Sequence, residues 1–175
     1  MEKKHPLEQF KFCPKCGSAN FLINNFKSKK CADCGFVYYF NPSAAVACFL
    51  KNANGDLLLA VRANEPAKGS YDLPGGFVDM EETGEEAIVR ELKEETGLEI
   101  KNLKYVFSIP NHYMYSGFLV DTLDLFFEAE VEDFSLAIAN DDVKSIRVVH
   151  PSELNKDNFG LESIKKAIVK YKSTL

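Results

Sequence analysis

The apolar runs AAVACFLKN (residues 44–52) and DLLLAVR (56–62) flank Asn54-Gly55, a dipeptide that predicts a tight hairpin between two strands. Further strand-like runs follow at LKYVFSI (103–109), TLDLFFEAEVE (122–132) and SIRVVH (145–150). Two other segments repeat at helical spacing. In LESIKKAIVKYK (161–172), Leu161, Ile164, Ile168 and Tyr171 share one face, which predicts an amphipathic helix closing the domain. Residues 84–96 form the second. Thr83 and Glu86 make a capping box before it, and Gly97 stands where a left-handed C-terminal cap belongs. Leu-Pro-Gly-Gly (73–76) is a turn leading into that helix. Strands with one central and one terminal helix predict an α/β sandwich, with neither an internal repeat nor a low-complexity linker.

The central helix carries more like charge than its fold requires. Residues 76–98 include eight Asp or Glu, against Arg90 and Lys93 alone. Glu91, Glu94 and Glu95 fall at i, i+3 and i+4, where like charges destabilise a helix by roughly 0.2–0.5 kcal/mol per pair. Projected at about 100° per residue, the three share an arc of about 100°. Ile88, Val89 and Leu92 form an adjoining core face, and Ala87 lies beneath the acids. Two readings stand: an ordinary solvated face, or a platform for a hard divalent cation, which turns the mutual repulsion into attraction.

Composition sets the context. An apolar fraction of 46% with 27% charged residues is that of a soluble globular protein. No apolar run is long enough to span a membrane, and the first residues lack the apolar core of a secretory signal, so the expected location is the cytoplasm. The net charge of −5 is unevenly distributed. Residues 1–50 hold seven Lys against three acids, and the remainder is strongly acidic. Four of the five cysteines lie in that basic part, as Cys13-x2-Cys16 and Cys31-x2-Cys34 separated by fourteen residues. This spacing matches a closed, structural four-thiolate zinc site, with two disulfides as the alternative that a reducing compartment disfavours. Zinc with four thiolates adds about −2, which lowers the basic excess of the lobe. Cys48 lies in an apolar strand and reads as a small buried hydrophobe.

Gly76, five residues, Glu82, seven residues, then Arg90-Glu91-Leu92-Lys93-Glu94-Glu95-Thr96-Gly97-Leu98 resembles the Nudix box, G-x5-E-x7-R-E-U-x-E-E-x-G-U with U apolar, at every defined position. The resemblance implies an α/β/α sandwich with a mixed sheet over residues 41–175, preceded by a small zinc ribbon over 1–40. It implies Mg²⁺ or Mn²⁺ held by Glu91, Glu94 and Glu95 with the Gly75 carbonyl, one glutamate also acting as base. Glu82 and Arg90 become orienting residues. A distal acid outside the box is expected at Glu130, with Glu128 as runner-up on the same strand parity. A ribbon followed by Gly76-Phe77-Val78-Asp79 is similar to the NADH pyrophosphatase branch. Where that branch carries S-Q-P-W-P-F-P-x-S, this chain has Ser108-Ile109-Pro110-Asn111-His112-Tyr113-Met114-Tyr115-Ser116, and it has no Trp.

The implied reaction is hydrolysis of the diphosphate linkage in a nucleoside diphosphate joined to another moiety: NADH, ADP-ribose, a related dinucleotide or nucleotide sugar, or NAD-capped RNA. Tyr71, Phe77, Tyr113 and Tyr115 are candidates to stack on a base, with a core role as the alternative for each. His112 reads as an exposed loop residue, and Arg62 as either a phosphate contact or half of a salt bridge. The competing function is a ribbon that binds RNA or protein beside a ligand-sensing, non-catalytic Nudix domain; an intact box disfavours it. A homodimer is the expected assembly by resemblance to the family.

Overall fold

A computed structural model describes residues 5–174. They fall into two compact units that divide between Pro42 and Ser43. In the first, β1 (Phe21–Asn25), β2 (Ser28–Cys31) and β3 (Val37–Tyr39) form an antiparallel sheet in that order. Its small core is Cys13, Phe21 and Cys31, with Phe36 packed against it. Lys29 is buried by its aliphatic stem, while Nζ donates to the Phe10 carbonyl at 2.7 Å.

The second unit contains β4 (Ser43–Lys51), β5 (Leu57–Arg62), β6 (Tyr71–Asp72), α1 (Gly84–Thr96), β7 (Lys101–Tyr115), β8 (Phe118–Glu130), β9 (Val143–Val149) and α2 (Glu162–Lys172). The sheet runs β6-β5-β4-β8-β7, with β9 on β5. It is mixed: β4 and β8 run parallel from Ser43↔Thr122 to Lys51↔Glu130, and the other pairs are antiparallel. Alternation along β4 divides the core. Val46, Cys48 and Leu50 face α1, packing with Ala87, Ile88 and Leu92. Ala47 and Phe49 face α2, where Phe49 stacks on Tyr171 at 3.9 Å between ring centroids. The result is the α/β/α sandwich with a mixed sheet.

Three local features differ from expectation. The hairpin at Asn54-Gly55 closes, yet Lys51↔Leu57 is its only ladder pair. Beyond it β4 turns its edge to residues 74–78: the Cys48 and Val46 amides donate to the Pro74 and Gly76 carbonyls, and the Val78 amide donates to Ala44. That segment wedges β4 away from β5. The β7–β8 hairpin is also longer than its apolar core, because Ser116 and Gly117, with φ of 49° and 74°, make the two-residue turn that twisted strands favour. Residues 110–115 are therefore strand rather than loop, and Pro110 is accommodated because β7 lies at the sheet edge. Third, the buried arc of α1 comprises Ala87, Ile88, Leu92, Glu95 and Thr96, with Val89 left exposed. The core face is thus rotated toward the acids, and Glu95 lies inside it.

Helix α1 starts and stops as its sequence requires. The Thr83 side chain accepts from the Glu86 amide, Glu86 accepts from the Thr83 amide, and Gly97 takes φ of 72° at the C-terminal end. Among the described residues no helix is long and apolar enough to cross a membrane. Thr83→Ala removes the cap and is expected to lower unfolding stability by about 1 kcal/mol, read as a shifted urea midpoint with unchanged slope.

Candidate active site

The turn before α1 is held by backbone on two sides. Tyr71 and Asp72 pair with Val61 and Ala60 of β5, and residues 74–78 then cross to β4. Gly75, with φ of 147°, passes so close to β4 that any side chain there would collide with the Val46 carbonyl. At Gly76 a Cβ would meet the Glu91 carboxylate, so glycine leaves that side chain its place. The glycines bring backbone against the acidic helix.

Glu95 is 7% exposed and accepts a hydrogen bond from the Gly75 amide at 2.9 Å. Burial pushes its carboxyl up to about 8; the Gly75 amide opposes the shift, while Glu91, Asp72 and Asp141 add to it. Burial also raises Glu91, against the pull of Arg90, with Glu94 and Asp141 reinforcing the rise. Glu94 stands at the exposed rim. The three carboxylates are not gathered at one point: among the described residues, only the cysteines form a group of three or more potential metal ligands within 4.8 Å.

Arg90 organises the acids. Its Nε and Nη2 donate to the two Glu82 oxygens at 2.9 Å each, Nη1 donates to Glu91 at 2.8 Å and Glu94 at 3.1 Å, and Nη2 also reaches the Phe77 carbonyl at 3.0 Å. Glu82 is held at about 2, chiefly by Arg90 and then by the Asp79 amide. Arg90 itself is raised well above its ordinary value by the same partners.

A cleft of about 550 Å³ opens beside Gly75, Gly76 and Glu95. Phe77, Tyr113 and Tyr115 line it; Tyr71 instead packs edge-on against Phe159 in the α2-side core. Glu130 is not brought to the box. It sits level with Lys51, five residues along β8 from the Val46–Leu125 pair, about 17 Å at strand rise, and accepts from Asn102. Glu128 shares that distant end and pairs with Lys51 at 3.2 Å. Both acids also share the α2-facing side of β8 with Phe126, whereas Leu125, Phe127 and Ala129 face α1. Arg62 pairs with Asp72 at 2.5 Å, and His112 lies in β7.

The acids that accompany the box come from elsewhere. The Asn140 amide donates to the Glu95 carbonyl, and the Ile138 amide donates to the Thr96 carbonyl. This docks the 138–140 segment on the C-terminal end of α1 and brings Asp141 close enough to act on Glu91 and Glu95. Asp72 is raised by burial despite Arg62, with Asp124 adding to the rise. An Asn-Asp-Asp turn before a strand is visible in sequence, but nothing local ties it to α1.

In the first unit, Cys13–Cys34 and Cys16–Cys31 sulfurs are each 3.7 Å apart, and all four lie within 4.8 Å of one another. A disulfide needs about 2.05 Å. Tetrahedral zinc with bonds of about 2.3 Å places sulfurs about 3.8 Å apart. Each Cys pair turns through a glycine, Gly17 or Gly35, at φ of 75° and 73°. The Cys34 amide draws the Cys31 thiol down to about 7, against burial, and the Asp33 amide adds to it.

Comparison with known proteins agrees with this arrangement. The NUDIX domain family matches residues 41–170. The chain is 33% identical over 120 residues to the NAD-capped RNA hydrolase NudC of Vibrio atlanticus, covering 67% of this chain and 44% of that protein. It therefore spans less than half the length of such relatives. It is 37% identical over 142 residues to the ADP-ribose pyrophosphatase of Methanocaldococcus jannaschii, covering 77% and 78%. A Nudix hydrolase structure from Nitrosomonas europaea superposes with a TM-score of 0.72 at 23% identity over 93% of this chain and 90% of that one. The Nudix domain of Shewanella oneidensis NrtR, crystallised with ADP-ribose, gives 0.64 at 18% identity over 78% and 90%. With the box, its buttressing arginine and the sandwich all in place, the chain belongs to the Nudix family.

Proposed function

We propose that the chain hydrolyses the diphosphate linkage of a nucleoside diphosphate joined to a second moiety, with Mg²⁺ or Mn²⁺ at the box. The observation that carries this reading is the burial of Glu95 and Glu91 beside the cleft, where their negative charge is only partly compensated by protein. Hard oxygen donors of this kind fit Mg²⁺ or Mn²⁺: Glu91, Glu95 and the Gly75 carbonyl, with Glu94 at the rim and Asp141 nearby. When bound, the cation supplies positive charge against the diphosphate oxygens and lowers the pKa of the attacking water.

The chain's own groups do the rest. Arg90, fixed by Glu82, holds the Glu91 and Glu94 carboxylates in place. Glu95, kept as a carboxylate by the cation it would help hold, is placed to take the proton of the attacking water. Phe77, Tyr113 and Tyr115 supply aromatic surface for the nucleoside. NudC acts on NAD-capped RNA and the archaeal relative on ADP-ribose by name, so those substrates and NADH head the panel. For the ribbon, we propose one structural Zn²⁺ on Cys13, Cys16, Cys31 and Cys34.

Glu95→Gln is expected to reduce Mg²⁺-dependent hydrolysis at least about 100-fold in that panel, with products identified by mass spectrometry. A wild-type rate at saturating Mg²⁺ contradicts the assignment. The same variant has a stability signature in EDTA. Because the folded pKa is raised from 4.5 to about 8, the folded state keeps a proton that the unfolded chain loses between those values. Stability therefore falls as pH rises through that window. Glu95→Gln is expected to match the native protein near pH 4 and exceed it by about 2–5 kcal/mol above pH 8, measured by denaturant unfolding. For the ribbon, elemental analysis is expected to find one zinc per chain. Cys31→Ser is expected to abolish it, with amide-exchange protection lost within residues 5–42 only.

A further inference from the structure

The α2-facing side of the sheet changes character at the cleft. Ala47 and Phe126 are core, but the next pair along β4 and β8 on the same face is Ala45 and Asp124. Thr122 follows, with Asn111 directly across from it on β7. Asn111, Thr122 and Asp124 are 8%, 2% and 7% exposed, yet all three line the cleft. Apolar residues would complete the core here, so these polar groups need partners.

The protein supplies few. The Thr122 hydroxyl donates to Asp124 Oδ1 at 2.5 Å. Among the described residues, no side chain or amide donates to Asp124 Oδ2, Asp124 forms no ion pair, and the Asn111 side-chain carboxamide makes no hydrogen bond, so both face the cleft unmatched by protein. The cross-strand pair places Asn111 within about 5 Å of Thr122 at Cβ, and Asp124 lies about 7 Å along the same face. Tyr113, two residues from Asn111 on that face, is half-buried beside them.

We propose that Asn111, Thr122 and Asp124 form a base-reading subsite for the amine-and-acceptor edge of adenine. The assignment rests on the hydrolase reading above and names the nucleoside it selects. A carboxylate only accepts, whereas a carboxamide both donates and accepts. Together they match an edge that presents an exocyclic amine beside a ring nitrogen. The Asp124 carboxylate disfavours a phosphate at this end, which leaves the diphosphate to the cation end at Glu91 and Glu95. A base with a carbonyl in place of the amine, as in hypoxanthine, sets oxygen against the Asp124 carboxylate. Tyr113 offers its ring to the base.

The test is calorimetric binding of methylene-bridged ADP-ribose and its hypoxanthine counterpart, with Mg²⁺, alongside hydrolysis of the natural ADP-ribose. The native protein is expected to bind the adenine analogue at least about tenfold tighter. Asp124→Asn, nearly isosteric, is expected to weaken adenine binding about tenfold or more and to narrow or invert the preference. Thr122→Val, which removes only the hydroxyl that holds Asp124, is expected to reduce the preference severalfold. Equal affinity for the two bases, equal losses on both in Asp124→Asn, or no binding of either overturns the proposal. Selective binding without any hydrolysis leaves the subsite standing and sinks the hydrolase reading instead.

Discussion

Everything at the site follows from a carboxylate placed inside the buried arc of a helix. Glu95 shares that arc with Ala87, Ile88, Leu92 and Thr96, and among the described residues the Gly75 amide is the one hydrogen-bond donor to its side chain. A single amide does not offset the burial of a full negative charge, so the carboxyl is displaced toward neutrality. Glu91, next along the helix, is displaced in the same direction. A fold that needed only stability would place an apolar residue at 95.

Two devices keep this arrangement intact. Arg90 distributes one guanidinium over Glu82, Glu91, Glu94 and the Phe77 carbonyl, binding helix to loop. The loop is in turn fixed to β4 by backbone hydrogen bonds, which requires glycine at 75. The same wedge that parts β4 from β5 leaves the sheet open toward the α2 side, where small side chains such as Ala45, Ala47 and Ala60 line the cleft. The buried acids on the α1 side and the polar lining of the cleft on the α2 side are thus joined by one loop.

Sequence reasoning succeeded where structure is set locally. The capping box, Gly97 and the amphipathic α2 depend on residues within one or two turns, and the two Cys pairs depend on fixed spacing. It failed where distant chain meets. The core arc of α1 shifted from Val89 toward Glu95 because the sheet and the 138–140 segment pack on that side. Pro110 and Asn111 read as loop, since proline weighs against a strand unless the strand is known to lie at an edge. Asp141, Asp72 and Asp124 reach the site through tertiary packing alone, and Glu130 falls on the α2-facing side of β8 and at its far end from the box.

The central claim, that buried acids of α1 exist to hold a divalent cation beside the cleft, is tested most directly by anomalous diffraction from crystals soaked in Mn²⁺. The account predicts a manganese peak coordinated by Glu91 and Glu95 with the Gly75 carbonyl, lost in Glu95→Gln crystals. No anomalous peak at those side chains at saturating Mn²⁺, or an unchanged peak in the variant, would contradict it.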